Sequence, residues 1–176
     1  MKIVIDDIPA DGLHLELSEE GGVFEAMAGE LDFSFEGPVR AVLDVTTTEG
    51  NVLVRGHMKA ALGLVCSRCI RDFTREIDTD FHLFFVRGRA SARDVELTGA
   101  DMDVNYLDAP ELDTTEVLLS QLAIEAPMQP LCDAGCKGLC PRCGADLNKG
   151  GCACPSEESV DSRFAVLKDF KAGKGG

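Results

Sequence analysis

The sequence predicts an α+β protein: an antiparallel, partly barrel-like β-sheet with one packing helix, then a cysteine-rich segment and a short C-terminal helix. Three observations carry this expectation. Residues 39–86 read as successive strands with apolar residues at every second position. Residues 112–126 carry a capped helical pattern. Six cysteines crowd into the 23 residues 132–154, and two more stand at 66 and 69.

Taken in order, "IVID" and the alternating "LHLEL" read as short strands. Residues 18–37 are rich in Glu and Gly with little periodicity, and are expected to be irregular. "VRAVLDVTT" places Val39, Ala41, Leu43 and Val45 on one face. "NVLVRGHMKAALGLVC" continues as a strand, with "TEGN" at 48–51 as the hairpin turn. After the "CSRC" turn at 66–69, Phe73, Ile77, Phe81, Leu83 and Phe85 share one face at period two. Residues 87–104 read as an exposed loop, and "NYL" as a short strand. In "LDTTEVLLSQLAIEAPM", Asp113 is the expected N-cap, with Glu116 three residues on. Val117, Leu118, Leu122 and Ile124 supply the apolar face, and Pro127 stops the helix. "VDSRFAVLKDF" reads as a final amphipathic helix before a frayed tail. The implied organisation is a β-rich body at 1–126, a cysteine segment at 127–155 packed on the 66–69 hairpin, and a helix with tail at 156–176.

The chain has 176 residues, 45% hydrophobic and 27% charged, as expected of a folded globular protein. No apolar run reaches ~18 residues, so no membrane span is expected. The N-terminus is too short in apolar residues and too acidic for a signal peptide. A cytoplasmic location follows, and in that reducing compartment structural disulfides are disfavoured.

The net charge of −14 is unevenly spread. Residues 95–131 carry 8 acidic and no basic side chains, whereas 13 of the 17 basic residues lie in 61–94 and 132–176, the segments that hold all the cysteines. Arg68, Arg71, Lys137, Arg142 and Lys149 interleave with the cysteines. They fit two roles equally: local compensation of thiolate charge, or contact with RNA phosphates.

Two cysteines separated by two residues let one tight turn aim both sulfurs at one metal, with turn amides donating to the thiolates. Cys140 and Cys143 in "CPRCG" form such a turn, and Cys152 with Cys154 in "GCAC" can complete a four-sulfur site. Cys66 and Cys69 with Cys132 and Cys136 make a second set. Four thiolates fit structural zinc best, so two zinc ions are expected. Other arrangements remain open: a ribbon of Cys66, Cys69, Cys140 and Cys143, a single zinc with spare thiols, or "CSRC" as a plain buried turn. The spacing departs from the C-x2-C-x2-C ferredoxin run. "CSRC" between two strands also lacks the strand-to-helix setting of thioredoxin chemistry. His14, His57 and His82 are scattered over strands. No phosphate loop, nucleophile elbow or H-E-x-x-H pattern occurs, and four-cysteine sites leave no place for a reactive water. No catalytic residue and no small-molecule substrate are expected; the chain reads as a non-enzyme.

Four motifs together resemble the YceD family, the bacterial large ribosomal RNA subunit accumulation proteins: "LGLVCSRCIRDF", "APMQPLC", "CKGLCPRCGADLNKGGCAC" and "VDSRFAVLKDF". Their order and spacing match across about 60–170, at Cys66, Arg68, Cys69, Pro127, Pro130, Arg163 and Leu167. Ser162 departs from the family pattern, which often has proline there; this bears on how the last helix starts. The resemblance implies a non-enzymatic factor supporting 23S ribosomal RNA accumulation and large-subunit assembly. Many relatives lack some of these cysteines, which implies that metal supports the fold here. The partner would be ribosomal RNA or a pre-large-subunit particle. The alternative is an acidic module that chaperones a basic ribosomal protein without touching RNA.

Overall fold

The computed structural model describes residues 1–29, 31–48, 50–88, 104–107 and 109–154. The chain divides into two compact units, Met1–Cys136 and Lys137–Gly176. The expected C-terminal helix, and most of the expected 87–104 loop, lie outside the described residues.

In the first unit, β1 (Lys2–Val4) leads through a 3-10 turn at Ile5–Asp7 to β2 (Leu13–Glu19), α1 (Gly21–Ala28) and β3 (Ser34–Phe35). Then come β4 (Val39–Thr48), β5 (Asn51–Val65), β6 (Asp72–Arg87), β7 (Val104–Leu107), β8 (Glu111–Asp113) and α2 (Thr114–Glu125). One sheet runs in the order β2-β4-β5-β6-β7, with β3 also on β5; β1 and β8 form a separate two-stranded ribbon. The neighbours from β2 to β6 pair antiparallel. Strand β7 lies parallel to β6, with Phe84 opposite Val104 and Arg87 opposite Leu107.

Among the described residues no pairing joins β2 to β7. The sheet is therefore open, which corrects the expected partial barrel. Closure needs pairing across the edge strands at a consistent stagger, and these two edges are short and separated by the full width of the sheet.

Alternation in the sequence places the core. Val39, Ala41, Leu43 and Val45 of β4 are buried, as are Val52, Val54, Met58, Ala60, Leu62 and Leu64 of β5. On β6, Ile77 and Phe85 are buried, while Phe73, Phe81 and Leu83 pack against the core from its margin. Gly56 sits on this face under Phe81: an added Cβ would lie 2.4 Å from Phe81 Cζ and 2.7 Å from Leu43 Cδ2.

Among the described residues two helices are present, where one packing helix was expected there. α2 contributes Val117, Leu118 and Leu122 to the core. It begins at Thr114 because β8 (Glu111–Asp113) takes residues 112 and 113, where the sequence reading started the helix. Asp113 caps it as expected, its carboxylate accepting from the Thr115 N–H at 3.0 Å. The buried hydroxyls at its start are satisfied: Thr114 Oγ1 donates to the Met1 carbonyl at 2.9 Å, and Thr115 Oγ1 to Glu19 at 2.9 Å. Ile124, expected on the apolar face, is 73% exposed. α1 occupies residues expected to be irregular. Its anchor is Phe24, fully buried and stacked on Phe35 at a centroid distance of 5.3 Å. This packing overrides the poor helix propensity of Gly21 and Gly22.

His14 and His82 are exposed and His57 is half-buried on the sheet's outer face, where charges pair across strands. His14 Nδ1 lies 2.6 Å from Asp44, and His57 lies 2.7 Å from Asp80 and 3.1 Å from Asp78. The hydrogen bond that Asp44 accepts from His14 raises the His14 pKa above its ordinary value. Lys59, 2.8 Å from Asp78, lowers that carboxyl's pKa through their hydrogen bond. Among the described residues no helix is long and apolar enough to cross a membrane.

Candidate metal centres

The β5–β6 hairpin ends its ladder at the pair Val65 and Asp72, and residues 66–71 close it. The Ile70 N–H donates to the Cys66 carbonyl at 2.9 Å, and the Cys66 N–H to the Arg71 carbonyl at 2.9 Å. This turn holds Cys66 and Cys69 side by side. The chain after α2 then returns: the Pro130 carbonyl accepts from Ser67 N–H at 2.8 Å and from Ser67 Oγ at 3.1 Å. That seam brings in Cys132 and Cys136. Cys66 Sγ lies 3.9 Å from Cys136 Sγ, and Cys69 Sγ lies 3.6 Å from Cys132 Sγ.

The second unit repeats the turn. The Gly144 N–H donates to the Cys140 carbonyl at 2.9 Å, and the Cys140 N–H to the Ala145 carbonyl at 2.8 Å. An isolated bridge pairs Leu139 with Asp146. Asp146 accepts from the Asn148 N–H at 2.9 Å, and Asn148 Oδ1 accepts from the Lys137 N–H at 2.8 Å. Cys140, Cys143, Cys152 and Cys154 converge on this frame. Asp146 and Asn148 tie this frame together. Their D-x-N spacing is an Asx-turn signature that marks them as its fasteners.

Two foursomes result: Cys66, Cys69, Cys132 and Cys136; and Cys140, Cys143, Cys152 and Cys154. In each, the sulfurs all lie within 4.8 Å of one another. Tetrahedral zinc with Zn–S bonds of about 2.3 Å places its sulfurs about 3.8 Å apart, against the 3.6 and 3.9 Å in the first foursome. A disulfide needs about 2.05 Å, and none of the eight cysteines is in one. The soft four-sulfur donor set and its spacing therefore fit a tetrahedral metal; either foursome could hold one.

The electrostatics of the bare thiols point the same way. The amide of Cys132 lowers the Cys66 pKa to about 6 against the opposition of burial, helped by the amides of Cys69 and Arg68. The amide of Arg71 favours a Cys69 thiolate, but burial and the thiols of Cys66, Cys132 and Cys136 outweigh it and push Cys69 up to about 12. In the other set, the amides of Cys143 and Arg142, with the thiol of Cys152, lower Cys140 to about 6. The thiols of Cys143, Cys152 and Cys140, together with burial, push Cys154 up to about 12, Cys143 contributing most. One sulfur in each set is held as thiolate and another is denied ionisation by its neighbours. A bound cation would relieve that conflict, because every coordinating thiol is deprotonated.

The basic residues divide between the units. Arg68 donates to the Cys136 carbonyl at 2.9 Å, and Arg71 to Cys132 Sγ at 3.1 Å. Both arginines are thus fastened into the first foursome. Lys137, Arg142 and Lys149 belong to the second unit and are exposed; Lys149 lies 3.8 Å from Asp146.

One feature of the first turn was not legible in the sequence. Ile70 has φ +56°, the one non-glycine residue at positive φ among those described. The equivalent position in the second turn is Gly144, at φ +72°. Left-handed backbone costs an L-residue about 1–2 kcal/mol, and a β-branched residue there is an outlier.

The YceD family of large ribosomal RNA subunit accumulation proteins matches residues 54–171, and the chain belongs to that family. It is 25% identical over 163 residues, 80% of this chain, to the chloroplastic large ribosomal RNA subunit accumulation protein YCED homolog 1 of Arabidopsis thaliana, and 26% identical over 142 residues, 66% of the chain, to that of Zea mays. An uncharacterized protein of Mycobacterium tuberculosis is 29% identical over 129 residues, 73% of this chain and 59% of its own length. The chain spans about half the length of the plant relatives, 50% and 48%. No solved structure matches it.

Proposed function

We propose that this chain is a non-enzymatic ribosome biogenesis factor that supports 23S ribosomal RNA accumulation and large-subunit assembly. Each cysteine foursome holds one structural zinc ion. The observation that carries this reading is the extent of the family match, 54–171, which spans both foursomes, most of β5, and β6 and β7. Cys66, Cys69, Cys132 and Cys136 hold one ion; Cys140, Cys143, Cys152 and Cys154 hold the other. Bound zinc supplies cross-linking and charge neutralisation. With four protein sulfurs per ion the sites are closed, as structural sites are. The proposed setting is the compartment where ribosomes are built, which in a bacterium is the cytoplasm.

Deleting the gene in its host should lower 23S relative to 16S ribosomal RNA and deplete mature large subunits on sucrose gradients. An unchanged ratio would refute the role.

A second reading, contact with a basic ribosomal protein instead of RNA, is favoured by one observation. Arg68 and Arg71 are turned onto Cys136 and Cys132, which is the work of charge compensation. Reversing Lys137, Arg142 and Lys149 should weaken binding to pre-large-subunit particles if phosphates are the contact, with a shallow salt slope of roughly −0.7 per phosphate on single-stranded RNA. Reversing exposed acids such as Glu111 and Glu116 should weaken it if a basic protein is.

A further inference from the structure

We infer that the second foursome is an oxidant-operated metal-release site: a hydroperoxide joins Cys143 to a sulfur of the Cys152–Cys154 arm as a disulfide and frees the bound ion, while the first foursome keeps its own. This rests on the zinc reading proposed above and assigns the two sites different chemistry.

Two observations single out the second foursome. The first is access. Cys143 is exposed and Cys152 and Cys154 are half-buried, whereas Cys66, Cys69 and Cys136 of the first foursome are all buried. Thiol oxidation follows exposure, and a second sulfur close by resolves it. Here all four sulfurs lie within 4.8 Å of one another. The second observation is freedom to move. A disulfide draws two sulfurs to about 2.05 Å, well inside the ~3.8 Å of a zinc tetrahedron, so one arm of the site must shift. In the first foursome the two arms are tied to each other. The Ser67 N–H donates to the Pro130 carbonyl at 2.8 Å, and Arg68 donates to the Cys136 carbonyl at 2.9 Å. In the second, such ties run only from 137 to 149. The Leu147 N–H donates to the Gly138 carbonyl at 3.0 Å, and the Lys149 N–H to the Asp146 carbonyl at 3.2 Å. Among the described residues no backbone hydrogen bond reaches 150–154. The arm that carries Cys152 and Cys154 can therefore follow its sulfurs without breaking the frame.

The chemistry balances with a hydroperoxide as the only added reagent. The Cys143 thiolate attacks one peroxide oxygen; the O–O bond breaks, hydroxide leaves, and a sulfenic acid forms at Cys143. The thiolate of Cys152 or Cys154 attacks that sulfur; the S–S bond forms, the S–O bond breaks, and a second hydroxide leaves. Two thiolates have given up two electrons, the peroxide has been reduced, and two solvent protons carry the hydroxides to water. The site, left with two of its four thiolates, releases its ion. A thiol reductant reverses the disulfide by exchange, and the four thiolates can then take up metal again.

The test treats the full zinc-loaded chain, freed of reductant, with hydrogen peroxide. Native mass spectrometry counts the ions that remain over time, and peptide mapping after thiol alkylation locates disulfides. One ion is expected to leave about tenfold or more faster than the other, with the Cys143 peptide joined to the peptide of Cys152 and Cys154. Dithiothreitol with added zinc should restore two ions. Cys66→Ser, which keeps only the second site, should lose its ion at the fast wild-type rate. Cys143→His retains a zinc ligand but removes the exposed thiolate, and should slow the fast phase about tenfold or more. Two ions leaving at one rate, a slow loss from Cys66→Ser, or a map without a disulfide at Cys143 would overturn the inference. So would a Cys143→His chain that loses its ion as fast as wild type; should that variant bind only one zinc, the wild-type map and the Cys66→Ser rate decide. Two ions that both resist peroxide would overturn this inference alone, whereas a chain without zinc before treatment would overturn the zinc reading as well.

Discussion

The two cysteine foursomes use the same turn in different settings. In the first, Cys66, Cys69 and Cys136 are buried, and the sulfurs come from segments more than 60 residues apart in sequence. The hairpin tip and the chain after α2 meet there, so a metal bound as proposed would cross-link the β-rich unit. In the second, Cys140 is buried but Cys143 is exposed, and all four sulfurs come from the 15 residues 140–154. A metal there would organise only its own short loop. With the proposed metal bound, the same donor set would fasten a long-range seam in one place and hold a short loop in the other, as small metal modules do.

The largest expected effect is a contrast between two variants. Cys66→Ser should lower the melting temperature of the β-rich unit by roughly 10 °C and increase hydrogen exchange at 130–136, leaving 140–154 protected. Cys143→Ser should release one zinc with little change in that unit's melting. Equal losses for both would erase the distinction. A smaller effect separates them kinetically. A chelator should strip zinc in two phases, the faster, by about tenfold or more, from 140–154, because an exposed ligand is open to attack. The smallest concerns neither site and serves as a control. His14, its pKa raised by Asp44, contributes stability at pH values below its ordinary pKa of 6.5, and the contribution fades as pH rises through the folded value. An NMR titration should find its midpoint above 6.5 and returned toward it in Asp44→Asn, with zinc content unchanged.

What the sequence disclosed follows from which interactions are local. Alternation in β4, β5 and β6 was legible because one face of each is buried. The α2 cap was legible because Asp113 acts on Thr115, two residues away. The grouping of Cys140 and Cys143 with Cys152 and Cys154 needed only a short loop. The rest depends on distant partners. Phe24 makes α1 by inserting into a core that the Gly-rich segment does not advertise. β8 takes its register from β1, about 110 residues earlier in the chain, and so shortens the helix expected from 112. The parallel seating of β7 on β6 carries no local signal. Ile124 fits the helical apolar period, yet faces solvent beyond the edge of what α2 covers. The left-handed backbone at Ile70 was invisible for a related reason: isoleucine is the residue a reader expects least there.

The most direct measurement is zinc stoichiometry by native mass spectrometry, with elemental analysis, on protein purified under reducing conditions. Two ions per chain are expected, one for each foursome, and one in either Cys66→Ser or Cys143→Ser. A chain with no zinc, its eight thiols freely reactive and its fold intact, would contradict the account.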